Sequence, residues 1–118
     1  EYLDYDEDTQ ENPTLVELNT SWQKWWNEIE QTSKNNLKPV IFTEIGYRSI
    51  DYCAKEPWVS YNEIGDKNED AQSNALNSFF ESAKSKAFFK GAFLWKWHCD
   101  EHLPENGNAT FSFGKFPL

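Results

Sequence analysis

The sequence is poor in cysteine, in basic charge and in long apolar runs, and each shortage removes a class of protein. Its two cysteines, Cys53 and Cys99, are too few for a disulfide scaffold and too far apart for a zinc knuckle. No apolar run approaches the roughly 20 residues that cross a bilayer as a helix, so no membrane partner is expected. Lysine and arginine number 11 against 20 acidic residues, for a formal net charge of -9. The basic residues do not cluster, which argues against a nucleic-acid partner and an anionic membrane surface. No charged-then-apolar leader and no transit pattern opens the chain. Internal repeats and low-complexity linkers are missing too, and 118 residues suffice for one small domain. An acidic surface is indifferent to neutral polymers, so the charge balance leans toward an uncharged partner.

Aromatic residues are abundant by contrast. They make up 17% of the chain, and six of them are tryptophan. Large flat side chains serve a core well. Indole faces also fit the apolar faces of pyranose rings, so composition leaves packing and sugar stacking both open.

The hydrophobic periodicity alternates between helix and strand. Glu1 to Pro13 is acidic and polar, with Tyr2 and Tyr5, and reads as the end of a strand running into a loop. Thr14 and Glu17 form a capping-box pattern directly after Pro13. Leu15, Leu18, Trp22, Trp25, Trp26 and Ile29 then recur at helical spacing, which predicts a helix over about 14–34. Val40 to Phe42 is a short apolar run, as in a parallel strand buried on both faces, and Pro39 is acceptable at its start. A long irregular stretch at 48–68 contains Pro57, Trp58 and Gly65. A second helix is predicted over about 69–86, capped by Asp66 or Asn68, with Ala71, Ala75, Leu76, Phe79, Phe80, Ala83 and Ala87 on its inner stripe. A last strand is predicted over about 89–98, before a polar tail with an Asn106-Gly107 turn. Strands alternating with helices imply βαβ units and a parallel sheet. In such folds the active site lies at the C-terminal edge of the strands.

Glu44 is the sharpest candidate at that edge. A carboxylate set against an apolar strand is costly to keep there without a partner or a task. Pairing with Arg48 or capping a turn is the structural reading. A nucleophile or general base, with Tyr47 and Arg48 near enough in sequence to hydrogen-bond it and lower its pKa, is the functional one. Trp95 and Trp97 lie two apart on one predicted strand and share a face. They are either core side chains or a platform beside the carboxylate, and Trp58 in the long loop is a weaker candidate of the same kind. His98 and His102 bracket Asp100 and Glu101, but Pro104 argues against the helix that would bring two imidazoles onto one metal, so no metal and no cofactor are expected. Neither cysteine has a convincing activating neighbour for a nucleophile. If the two strands are neighbours, Cys53 and Cys99 both fall in loops at one rim. A disulfide there would staple the long loop to the site, and two buried thiols are the other reading. One bridge, with glycosylation acceptor patterns at Asn19 and Asn108, leans toward a secreted protein.

The stretch Pro39-Val40-Ile41-Phe42-Thr43-Glu44-Ile45-Gly46-Tyr47-Arg48-Ser49 resembles the seventh-strand signature of glycoside hydrolase family 113. Pro57-Trp58 and Gly91-Ala92-Phe93-Leu94-Trp95-Lys96-Trp97 resemble the loop that follows and the eighth strand. Asn12-Pro13-Thr14-Leu15-Val16-Glu17-Leu18 resembles the segment after strand six. The similarity runs from about residue 11 to about residue 98. Thr43 to Ser49 is fairly specific, whereas Trp-x-Trp alone is shared with many related barrels.

The resemblance implies an α/β fold, the C-terminal part of a (β/α)₈ barrel (TIM barrel) from the end of strand six through strand eight. A complete barrel needs roughly 200 residues or more, so residues 1–118 would be a partial catalytic domain, with the N-terminal half of the barrel as its missing partner. It further implies a retaining hydrolase of β-1,4-mannan, with a polysaccharide or oligosaccharide as substrate. Glu44 maps onto the nucleophile and Trp95 onto the aromatic floor of the subsite beside it. Tyr2 or Tyr5 would match the tyrosine that hydrogen-bonds the nucleophile. The acid/base glutamate of the family, at the end of strand four, has no counterpart in this chain, which alone is expected to be inactive. Two other readings stay open. One is a non-catalytic carbohydrate-binding or scaffold protein derived from such a barrel. The other is a related hydrolase of another β-glycan.

Overall fold

The structure is a computed structural model that describes residues 12–55, 57 and 66–95. In chain order these form helix α1 (Leu15–Asn36), strand β1 (Val40–Ile45), helix α2 (Glu69–Ala83) and strand β2 (Phe89–Leu94). β1 and β2 are parallel neighbours joined through α2, so the α/β reading and the βαβ unit both stand.

Helix α1 starts where its caps dictate. The Thr14 hydroxyl accepts a hydrogen bond from the Glu17 amide, and the Glu17 carboxylate accepts one from the Thr14 amide at 2.8 Å. That reciprocal pair satisfies two amides that the first turn cannot bond internally. The helix runs two residues beyond the predicted Lys34. Leu37 then enters the left-handed region (φ 51°), and the amides of Leu37 and Lys38 return to the carbonyls of Lys34 and Ser33. This is the backbone pattern that glycine usually supplies at a helix end. Helix α2 is capped by Asn68, whose side-chain oxygen accepts from the Ala71 amide at 2.8 Å. It stops three residues before the predicted Lys86, so Ala87 lies outside it and is exposed. Serines crowd that end. Ser82 donates to the carbonyls of Ser78 and Phe79, and Ser85 donates to Ser82. Hydroxyls that bond backbone carbonyls locally compete with helix continuation.

The core lies between the helices and one face of the sheet. Trp26 and Phe79 are both fully buried, one on each helix. Phe42 from β1 and Phe89 from β2 meet them, with Phe42 edge-on to Phe79 at 5.1 Å and Phe89 edge-on to Trp26 at 5.8 Å. Trp22 packs on Phe79 at 5.3 Å. Most of these rings meet in tilted or edge-to-face arrangements, the geometry that the ring quadrupole favours. The Trp26 indole N–H donates to Ser82 at 2.8 Å, so its one polar atom is satisfied inside the core. Five of the eight tryptophans and phenylalanines on these helices and strands, Trp22, Trp26, Phe42, Phe79 and Phe89, are thus accounted for by packing alone.

One expectation needs correction. β1 is not buried on both faces among the described residues. Phe42 and Ile45 face the helices, while Ile41 is 55% exposed and Thr43 and Glu44 are exposed with it. On β2, Phe93 is 67% exposed. Both helices cover the same side of the sheet, and nothing in the described residues covers the other.

Candidate functional site

The site begins with the register of the two strands. From Val40 to Ile41 β1 advances one residue while its partner advances two, from Phe89 to Gly91. From Phe42 to Ile45 β1 advances three while its partner advances two, from Ala92 to Leu94. Each strand therefore carries one extra residue, a β-bulge, and the two offsets cancel. Gly91 sits at the first of them with φ +150°, a conformation that disfavours other residues. An added Cβ there would meet nothing within 4 Å, so backbone conformation rather than space calls for glycine.

The second bulge decides where Glu44 goes. Strict alternation from Phe42 would put residue 44 on the helix side. The extra residue resets the alternation, so Ile45 takes the buried place and both Thr43 and Glu44 are exposed. A carboxylate is thereby kept out of an aromatic core where it would be strongly disfavoured. Trp95 arrives at the same edge from β2. Its amide donates to the Ile45 carbonyl at 2.8 Å, which closes the ladder one residue beyond Glu44. Its side chain is 48% exposed. Glu44 and Trp95 thus stand at the C-terminal ends of adjacent parallel strands, where the sequence pattern put them.

Tyr47 and Arg48 follow Glu44 into the loop after β1. Both are buried, whereas Glu44 is exposed. Burial pulls the Arg48 guanidinium below its ordinary pKa, against the opposing influence of Cys53 beside it. Cys53 is 5% exposed and unbridged among the described residues, and Cys99, its expected partner at the rim, lies outside them. The loop turns it into the core next to Ile50 and Ala54, and desolvation pushes its pKa up to about 12. A thiol so held is inert. Tyr2, Trp58, Trp97 and Cys99, with His98 and His102, lie outside the described residues.

A polar network that the sequence did not announce holds the rim. Asp51 Oδ1 accepts from the amides of Asn12 and Asn68, both at 2.7 Å. These two bonds, Asn68 first, keep the Asp51 carboxyl below the usual aspartate range. Asn12 also accepts from the Tyr52 amide at 2.7 Å, at a residue whose φ of 56° is unusual for tyrosine. The backbone adds an isolated antiparallel bridge between Ile50 and Lys67. The segment before α1, the loop after β1 and the start of α2 are thereby locked together. Asn68 was readable as a cap. Gln72 had a signal that went unread: it is a polar residue on the apolar stripe, three before Ala75 and seven before Phe79.

The sequence profile of Glycoside Hydrolase Family 113 matches residues 6–115. A solved structure titled as that of a GH113 beta-1,4-mannanase superposes on the chain with a TM-score of 0.60 at 27% sequence identity. The match covers 65% of this chain and 25% of that one, so the chain spans about a quarter of the length of its solved relative. No curated protein matches the chain.

Proposed function

The chain belongs to glycoside hydrolase family 113, and on that premise we propose that it forms the C-terminal part of a (β/α)₈-barrel retaining hydrolase of β-1,4-mannan-type polysaccharide, with Glu44 as nucleophile. The observation that carries the reading is an exposed Glu44 at the C-terminal edge of a parallel strand, one rung from Trp95 on the next strand. The open sheet face, with Ile41, Thr43 and Phe93, is then the inner wall of the barrel. Coverage of a quarter of the mannanase chain supports reading the chain as part of a larger domain, and the mannan named for that relative supports the substrate class.

In the reaction, the Glu44 carboxylate attacks the anomeric carbon and the glycosidic C–O bond breaks. A carboxylic acid from outside this chain gives its proton to the leaving oxygen. That group, now ionised, takes a proton from water, which attacks the anomeric carbon and releases Glu44 with retained configuration. The two carboxyl groups stand about 5 Å apart in such enzymes. Trp95 supplies an indole face for the sugar ring beside the nucleophile. Tyr47 and Arg48, buried just past the edge, are proposed to support Glu44 and the substrate-binding wall beside it. Trp97, Trp58 and Tyr2 are proposed to extend the sugar-binding surface.

Glu44→Gln in the intact enzyme tests the reading. Reducing-end release from mannan is expected to fall by orders of magnitude while circular dichroism stays unchanged. Turnover near that of the parent would reject the assignment. A panel of mannan, glucan and xylan tests the substrate class in the same assay.

A further inference from the structure

The hydrogen-bond ladder that guides β1 ends at Ile45, whose carbonyl accepts from Trp95. Beyond it, the chain leaving Glu44 is held from α2. The Tyr47 carbonyl accepts from the Gln72 side-chain amide at 2.7 Å, in the buried interior. The Ser49 carbonyl accepts from the Asn68 amide at 2.8 Å, and Asp51 accepts from the Asn68 side chain at 2.7 Å. Three alternate loop residues are thus tied to Asn68, the N-cap of α2, and to Gln72 one turn into the helix.

Gln72 is the first of these ties and the most telling. It is 1% exposed, and its Oε1 is buried with no hydrogen-bond partner. An orphaned buried carbonyl is costly. A leucine or methionine would fill the same stripe without it. What only the glutamine supplies is the N–H that reaches Tyr47, three residues past Glu44.

We propose that Gln72 is a positioning residue for the Glu44 site: its amide fixes the Tyr47 carbonyl and so sets the angle at which the strand end presents Glu44. This rests on the reading of Glu44 as nucleophile. Misplacing a reacting group by about 1 Å costs up to about 100-fold in rate, and the tie acts on the chain segment that carries that group.

Gln72→Met in the intact enzyme removes the tie at nearly constant volume. Removing the orphaned Oε1 offsets the loss of the Tyr47 bond, so the melting temperature should move little. The kcat on mannan should fall by about 10- to 100-fold, with KM essentially unchanged, as for an interaction realised in the transition state. Amide hydrogen exchange at residues 46–50 should quicken while α1 and the middle of α2 keep their protection. Gln72→His, whose ring N–H can reach the same carbonyl, should restore much of kcat. Parental kcat per folded molecule in Gln72→Met would overturn the proposal, as would a rise in KM with kcat intact. Should the methionine variant fold poorly, Gln72→Asn, the same amide one methylene short, is read by the same two criteria. Glu44→Gln run alongside separates the two claims. If it retains turnover, the nucleophile reading fails, and the exchange rates at 46–50 still decide whether Gln72 holds the loop.

Discussion

Replacing Asp51 by alanine removes the acceptor on which two segments converge. Its Oδ1 takes both the Asn12 and the Asn68 amide at 2.7 Å. A hydrogen bond to a charged group contributes about 1.5–3 kcal/mol when buried. Asp51 is half-exposed, and solvent screens such bonds and competes for the released amides. A fair total for the pair is therefore about 2 kcal/mol rather than the sum of two buried bonds. Asp51→Asn keeps one acceptor oxygen without the charge and should lose about half as much. Urea unfolding of the intact protein near neutral pH reads both, as a lowered midpoint at constant slope. The pH dependence is a second check. Folding lowers the Asp51 pKa, so its stabilisation is complete above the ordinary value of 3.8 and fades as pH falls through the lower folded value. The gap between parent and Asp51→Ala should therefore narrow in that acid range. An alanine variant as stable as the parent at neutral pH, or a gap that does not change in acid, would refute the reasoning.

Other outcomes follow from single contacts. Thr14→Ala should destabilise by about 1 kcal/mol, because the capping box loses the hydroxyl that accepts from Glu17; thermal melts of parent and variant measure it. Phe79→Ala should cost about 3–5 kcal/mol, since a fully buried ring at the centre of the aromatic core leaves a cavity that Trp22, Trp26 and Phe42 cannot fill; denaturant unfolding measures that loss. Cys53 should resist alkylation by iodoacetamide at neutral pH in the folded protein and react once urea exposes it. Burial keeps its thiol protonated far above that pH, and peptide mass mapping reads the difference.

The elements that could be read from the sequence are those governed by short-range rules. The Thr14 and Glu17 capping box, the stripe of Leu18, Trp22 and Trp26, and the apolar run at Val40 each bear on neighbours within a turn or a strand. The meeting of Glu44 and Trp95 at one edge was legible too, because parallel βαβ topology brings consecutive strand ends together. What escaped depends on partners far along the chain. Asn12 and Asp51 are 39 residues apart, and Gln72 and Tyr47 are 25 apart. No local pattern announces which amide will meet which carboxylate. The two bulges escaped for a related reason. Apolar and polar residues near Glu44 can be aligned with either face, and only the register with β2 shows that Glu44 is exposed and Ile45 buried. Cys53 read as a rim residue because it follows a strand end, yet the turn at 51–55 folds it inward.

The most direct measurement is covalent trapping. A 2-deoxy-2-fluoro mannoside with a good leaving group slows the release of a glycosyl-enzyme, so the ester accumulates on the attacking carboxylate. Proteolysis and tandem mass spectrometry of the inactivated enzyme should place the added sugar on Glu44. A sugar found on another carboxylate, or inactivation with Glu44 unmodified, would contradict the account.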